Sequence, residues 1–178
     1  TGKKFQLPSD DPTGVATSMD LNSTIEENDQ HIRNLDEGIG WSESTDSALG
    51  QMTKVLQRAR ELASRGANGS LSDSDREAVA DEVHQLRGNV VEIANTSYND
   101  RYIFGGTKTQ IKPYKGISGE EAEYNGNNDK IKRQISSQAR IQINQSGKKF
   151  EKILNDLENL ETDLRNDDSE SITNNRIK

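Results

Sequence analysis

Apolar residues recur at helical spacing from Val15 to Ala63, and they do so in two phases. Leu21, Ile25, Ile32, Leu35 and Ile39 stand three, four or seven residues apart, the seam spacing of a coiled coil. Trp41, Ala48, Met52, Val55, Ala59 and Leu62 continue in a second phase, with Gly38 and Gly40 at the junction. A glycine inside a helix costs about 0.5–1 kcal/mol relative to alanine, so a shift, bend or break is expected there. Ahead of this segment, Pro8, Pro12 and the run Ser9-Asp10-Asp11 predict an irregular lead-in with capping side chains. Behind it, Arg65-Gly66-Ala67-Asn68-Gly69 supplies a cation for the last turn and glycines for a left-handed cap.

A second helix is expected to begin near Ser72 or Ser74, where Ser74-Asp75-Arg76-Glu77 matches a capping box. Its apolar stripe is Val79, Val83, Leu86, Val90 and Ile93, and the pattern fades at Asn95. The period then changes. Arg101 to Phe104 before Gly105-Gly106, Ile111 to Tyr114, Glu121 to Tyr124 before Asn125-Gly126, Ile131 to Ile135, and Arg140 to Ile143 read as four or five short strands. After Ser146-Gly147 a third helix carries Phe150, Ile153, Leu157, Leu160 and Leu164 on one face, with Leu154 at its margin. Ile172 and Ile177 start a further helical period that the chain stops inside. Each stripe is narrow enough to face one partner helix rather than wrap a globular core.

The pattern therefore predicts a mainly α fold with a small β region. Two N-terminal helices, at about 15–64 and 73–96, and one C-terminal helix would form an elongated bundle, a rod, with short antiparallel strands between them. The corresponding segments are 1–100, 101–146 and 147–178. Composition agrees with a thin core: 29% hydrophobic and 4% aromatic residues, with Leu, Ile, Val and Phe together making 35 of 178. That is near the level at which a chain stays disordered, and the helical periodicity is what favours the rod.

The net charge of −7 with a pI near 5.0 argues against a nucleic-acid binder, which shows a basic face. No run approaches the roughly 20 apolar residues that span a bilayer, so membrane insertion is not expected. With no cysteine there is no disulfide, thiolate nucleophile or Cys-based zinc site. His31 and His84 lie on predicted helices without a metal-ligand spacing. Gly105-Gly106-Thr107-Lys108-Thr109 lacks the first glycine of a phosphate loop and reads as a tight turn. Asn125-Gly126-Asn127-Asn128-Asp129 resembles a calcium loop only in composition. No catalytic, cofactor-binding or metal-binding residues are assigned, and the chain is not expected to be an enzyme.

Several segments resemble one family. Ser9 to Gly14 is similar to the segment leading into the first long helix of flagellins and their junction relatives. Leu56-Gln57-Arg58-Ala59-Arg60-Glu61-Leu62-Ala63, Ala67-Asn68-Gly69 and the restart at 72–75 resemble the end of that helix and the loop behind it. The resemblance runs in order from about Gly2 to Thr109. Arg101 to Thr109 and the short β region look more like the hook-associated junction branch than flagellin itself.

This resemblance implies a structural subunit of the bacterial flagellum at the hook–filament junction, exported by the flagellar secretion apparatus to the cell exterior. The implied partners are hook-associated protein 1, flagellin, further copies of itself in a ring, and an export chaperone. It also implies helices before Thr1 and after Lys178, so the piece alone is expected to be monomeric. Arg58, Arg60, Glu61 and Leu62 match a flagellin segment implicated in packing between neighbouring subunits; the plainer reading has Leu62 and Ala59 in a seam and the charges paired or solvated. Two alternatives stay open. One is a flagellin filament subunit; the other is a secreted enzyme or binding module with a pocket near Tyr102, Tyr114 and Tyr124.

Overall fold

The computed structural model describes residues 12–67, 71–116, 123–168 and 171–172. Expectations for the opening through Asp11, for Asn68-Gly69, for Glu121 and for Ile177 lie outside the described residues. Helix α1 spans Pro12–Gly66, α2 Asp73–Ala94 and α3 Lys149–Arg165. Among the described residues four short strands accompany them: β1 Ser97–Tyr98, β2 Arg101–Tyr102, β3 Lys132–Gln134 and β4 Arg140–Gln142. They pair antiparallel as β1–β2 and β3–β4, so the fold is mainly helical with two two-stranded sheets.

Two compact units divide the chain. The first holds the part of α1 up to Ile39 together with Lys132–Gln142; the second holds Gly40–Ile131 and Ile143–Lys178. In the second unit, Trp41, Thr45, Ala48, Met52, Ala59, Leu62 and Gly66 of α1 are buried at intervals of three, four or seven. That seam shares a core with α2 and α3. Met52, Leu62, Val79, Val83, Leu86, Val90, Ile93, Phe150, Leu157, Leu160 and Leu164 are all buried, while Val55 and Ile153 are half-buried at its edge. Helix α2 is capped by Ser72 rather than Ser74: the Ser72 hydroxyl accepts from Asp75 N–H at 3.2 Å and donates to the Asp75 carboxylate at 2.6 Å.

Four expectations need correction. Leu21, Ile25, Ile32, Leu35 and Ile39 are exposed by 36–59% and form no core. The hairpin β3–β4 engages α1 through Asn34 and Glu37, which at 100° per residue lie on another side of the helix from Ile25, Ile32 and Ile39. The seam therefore meets no partner among the described residues. Secondly, of the shift, bend or break expected at Gly38 and Gly40 the break is absent, since α1 runs unbroken through both, although the boundary between the two units falls there. At Gly40 the glycine serves a close approach, because a Cβ there would overlap the Tyr98 ring and hydroxyl. Thirdly, Leu154 is fully buried and Ile153 is the marginal residue, so the seam of α3 is Phe150, Leu154, Leu157, Leu164 with Leu160 beside it. Lastly, α2 buries Ala80, Arg87, Val91 and Ala94 as well as the predicted stripe. Small side chains and one arginine concealed that second face.

The β region is smaller than its sequence suggests. The expected strands at Ile111–Tyr114 and around Tyr124 reduce to one bridge between Tyr114 and Tyr124. Asparagine amides take over the role of a ladder. Asn95 accepts from Tyr114 N–H and donates to Tyr114 C=O, both at 2.9 Å. Asn144, 2% exposed, accepts from Ile131 N–H at 2.8 Å and donates to Asp129 C=O at 2.9 Å. These bonds satisfy backbone groups that a loop would otherwise bury unpaired. Strand β1 was hidden behind the end of α2; it turns into β2 through Asn99 and Asp100, both with positive φ as a type I′ turn requires.

Candidate assembly surface

The segment Arg58 to Leu62 ends the core-facing part of α1, and its four candidate residues separate in the fold. Leu62 is 1% exposed and spends its side chain in the core, so it is withdrawn as a contact to a neighbouring subunit. Arg58 closes a bidentate pair with Glu82 of α2, Nε to Oε1 at 2.6 Å and Nη2 to Oε2 at 2.9 Å, and reaches Glu61 at 3.0 Å. The planar guanidinium matches the two carboxylate oxygens, so Arg58 joins α1 to α2 within one chain. Glu61 stays mostly exposed beyond that bond. Arg60 is exposed and forms no ion pair among the described residues.

A second set of charges links α2 to α3. Glu161, whose side chain is only 14% exposed, faces Arg165 at 3.4 Å, His84 Nδ1 at 3.2 Å and Arg87 at 3.7 Å. Arg165 also bonds Asp81 at 2.7 Å, and Arg87 reaches Glu158 at 3.6 Å. Glu161 follows Leu157 by four residues and precedes Leu164 by three, so it occupies a seam position. Removing one partner of the shielded Glu161–Arg87 pair is costlier than the pair's net contribution.

The Arg58 hydrogen bonds hold the Glu82 carboxyl below the usual carboxylate range. A carboxylate with a depressed folded value contributes stability that is complete above its unfolded value, about 4.3, and disappears as pH falls through the folded value. Arg58→Ala should therefore lower the urea midpoint at neutral pH, and the gap to the parent should shrink once Glu82 is protonated in both. Equal gaps at neutral and strongly acidic pH would assign the loss to packing instead.

Two of the three tyrosines named as possible pocket residues, Tyr114 and Tyr124, are engaged internally. Tyr114 is fully buried and its hydroxyl donates to Gly147 C=O at 2.9 Å; burial, then Glu151, pushes its ionisation up. Tyr124 donates toward Phe104 C=O at 2.7 Å and Asn127 C=O at 3.0 Å. Beside it lies a polar cleft of about 270 Å³ lined by Glu123, Tyr124, Gly126, Asn127, Lys148 and Glu151. Another of about 350 Å³ is lined by Glu43, Ser44, Ser47, Ala48, Gln51 and Thr96. Neither has the apolar walls of a small-molecule site. Among the described residues, no three His, Asp or Glu side chains cluster as metal ligands, and no helix is long and apolar enough to cross a membrane.

Helices that share an apolar core and are joined by ion pairs, with small loops tied by asparagine, define a mainly helical module. Comparison with known proteins gives the family. Residues 1–109 match the model of the bacterial flagellin N-terminal helical region, and the chain belongs to the bacterial flagellin family.

The chain is 33% identical to flagellar hook-associated protein 3 of Escherichia coli over 151 residues, covering 84% of this chain and 47% of that protein. It is 31% identical to the Salmonella typhimurium protein of the same name, covering 83% and 46% respectively. It thus spans about half the length of these curated relatives. Flagellin B of Vibrio anguillarum is 35% identical over 108 residues, covering 61% of this chain and 27% of that flagellin. Among solved structures, FlgL of Xanthomonas campestris superposes with a TM-score of 0.66 at 26% identity, covering 71% of this chain and 41% of that one. A putative flagellar hook-associated protein from Vibrio parahaemolyticus shares the fold, with a TM-score of 0.79 at 22% identity, covering 94% and 80%. These similarities place the chain among proteins of the bacterial flagellum.

Proposed function

We propose that this chain is part of a hook–filament junction subunit, an adaptor between hook-associated protein 1 and the first flagellin subunits. The observation that carries this reading is the extent of similarity. Similarity to flagellins covers 108 to 123 residues, whereas similarity to hook-associated protein 3 covers 151. The longer match extends beyond the span of the flagellin N-terminal region, where the two branches would differ. In this reading the full-length protein leaves the cell through the flagellar secretion apparatus, with an export chaperone, and forms a ring at the hook tip. Helical assemblies need heterologous contacts, one face meeting a different face of the next subunit, and exposed Arg60 and Glu61 offer one such face.

The full-length protein, expressed in a strain lacking its junction protein, is expected to restore filament attachment and swimming. Flagellin lost to the medium despite expression and export would overturn the adaptor reading, and long filaments formed by the purified full-length protein alone would select the flagellin alternative. In the same assay, Arg60→Glu should impair attachment; unchanged motility would remove the proposed subunit contact at this segment.

A further inference from the structure

Charge is unevenly distributed in this acidic chain. From Pro12 to Ile39 there are six carboxylates and one arginine, whereas between Asp129 and Glu151 there are six lysines and arginines and no carboxylate. The first unit brings part of each stretch together. Arg133 of β3 holds Glu37 of α1 with Nε to Oε2 at 2.8 Å and Nη2 to Oε1 at 3.0 Å, and the Asn34 amide donates to Gln134 C=O at 2.7 Å.

Strand register decides what remains. Arg133 stands opposite Ile141, while Lys132 pairs with Gln142 and Gln134 with Arg140. Opposed residues share a face and successive residues alternate, so Lys132 and Arg140 lie on the face away from Arg133. Both are exposed and form no ion pair among the described residues. On α1, Asp29 and Asp36 are exposed, seven residues apart, and follow Asn28 and Leu35 along one edge of the exposed apolar seam. In a coiled coil this flanking position sets the charge a partner must carry.

We propose that the Lys132–Arg140 face of the hairpin in one copy docks on the Asp29–Asp36 edge of α1 in a second copy. The two elements already pair within the chain through Arg133 and Glu37, which establishes their chemical compatibility. The outer cations and the flanking aspartates are the remaining complementary groups. Each copy carries both halves on different faces, and in the proposed contact each half meets a different neighbour, so that the contact is heterologous and propagates rather than closing reciprocally as a symmetric dimer. This inference deepens the assembly reading above and rests on it for its biological role. Its test needs only the purified chain, so it can fail or stand separately from the junction assignment.

In place of the monomer that the family resemblance implies for this piece alone, sedimentation of the purified chain over a concentration series should show association beyond dimers at low salt and its loss at high salt, where exposed pairs are screened. Lys132→Glu with Arg140→Glu should weaken association at least about tenfold, as should Asp29→Lys with Asp36→Lys. Mixing the two double variants should restore it, because the reversed faces complement each other. Circular dichroism should match the parent, since all four positions are exposed. A monomer at every salt and concentration, a discrete dimer, or failure of the mixture to recover association would overturn the proposal.

Discussion

Trp41→Ala should remove about 3–5 kcal/mol of unfolding free energy, the range for deleting a buried large aromatic side chain. Trp41 is 0% exposed, stands edge-on to Tyr98 with ring centroids 6.4 Å apart, and has the Arg101 guanidinium 5.3 Å from its ring centroid. The loss is large for this chain because only 29% of its residues are hydrophobic, while folded domains are stable by about 5–15 kcal/mol in all. The indole N–H meets no acceptor among the described residues. Trp41→Phe should therefore cost only part of that amount, about 1–2 kcal/mol, since it surrenders volume but no hydrogen bond. Urea unfolding followed by far-UV circular dichroism compares the three proteins. Equal losses in the two variants would show that the indole N–H, and not its bulk, matters.

Gly106→Ala should be comparably severe for a different reason. Gly106 has φ +68°, where a side chain costs about 1–2 kcal/mol, and the Cβ would also overlap the backbone carbonyl of Asn127. That carbonyl cannot swing aside cheaply. Asn127 N–H donates to Gly105 C=O at 3.2 Å, and its side-chain oxygen accepts from Thr107 N–H at 2.8 Å. Strain and backbone overlap together should cost at least about 3 kcal/mol. Gly116→Ala is the control, because φ is +66° there but nothing lies within 4 Å of the added Cβ. It should lose only the conformational part, about 1–2 kcal/mol. Matching losses at the two glycines would mean that the Asn127 loop yields freely.

The helical architecture was readable because heptad spacing survives in sequence. Val79 to Ile93 and Met52 to Leu62 repeat at seam intervals, and they occupy the core of the second unit. The family resemblance added what spacing could not supply, since a thin helical bundle can serve many roles. The loops were less legible. Asn95, Asn127 and Asn144 act through side-chain amides that imitate backbone, and nothing in local composition separates such an asparagine from one facing water. The Asn99-Asp100 turn did leave a signal, two residues tolerant of positive φ between Tyr98 and Arg101, but the preceding helix masked its first strand.

Among the candidate contacts, sequence identified a charged segment and structure divided it. Arg58 and Arg60 are two residues apart, so they point in different directions on a helix; only Arg58 meets Glu82. Glu161 has no apolar signature, yet it takes a seam position because Arg87, Arg165 and His84 converge on it.

By itself, the sequence determined helix placement and a thin core, because these depend on residue type and local period. Tertiary structure alone decided which apolar stripe was covered. Leu21 to Ile39 and Trp41 to Leu62 have the same kind of spacing, but burial requires another surface in register, and among the described residues only the second stripe has one.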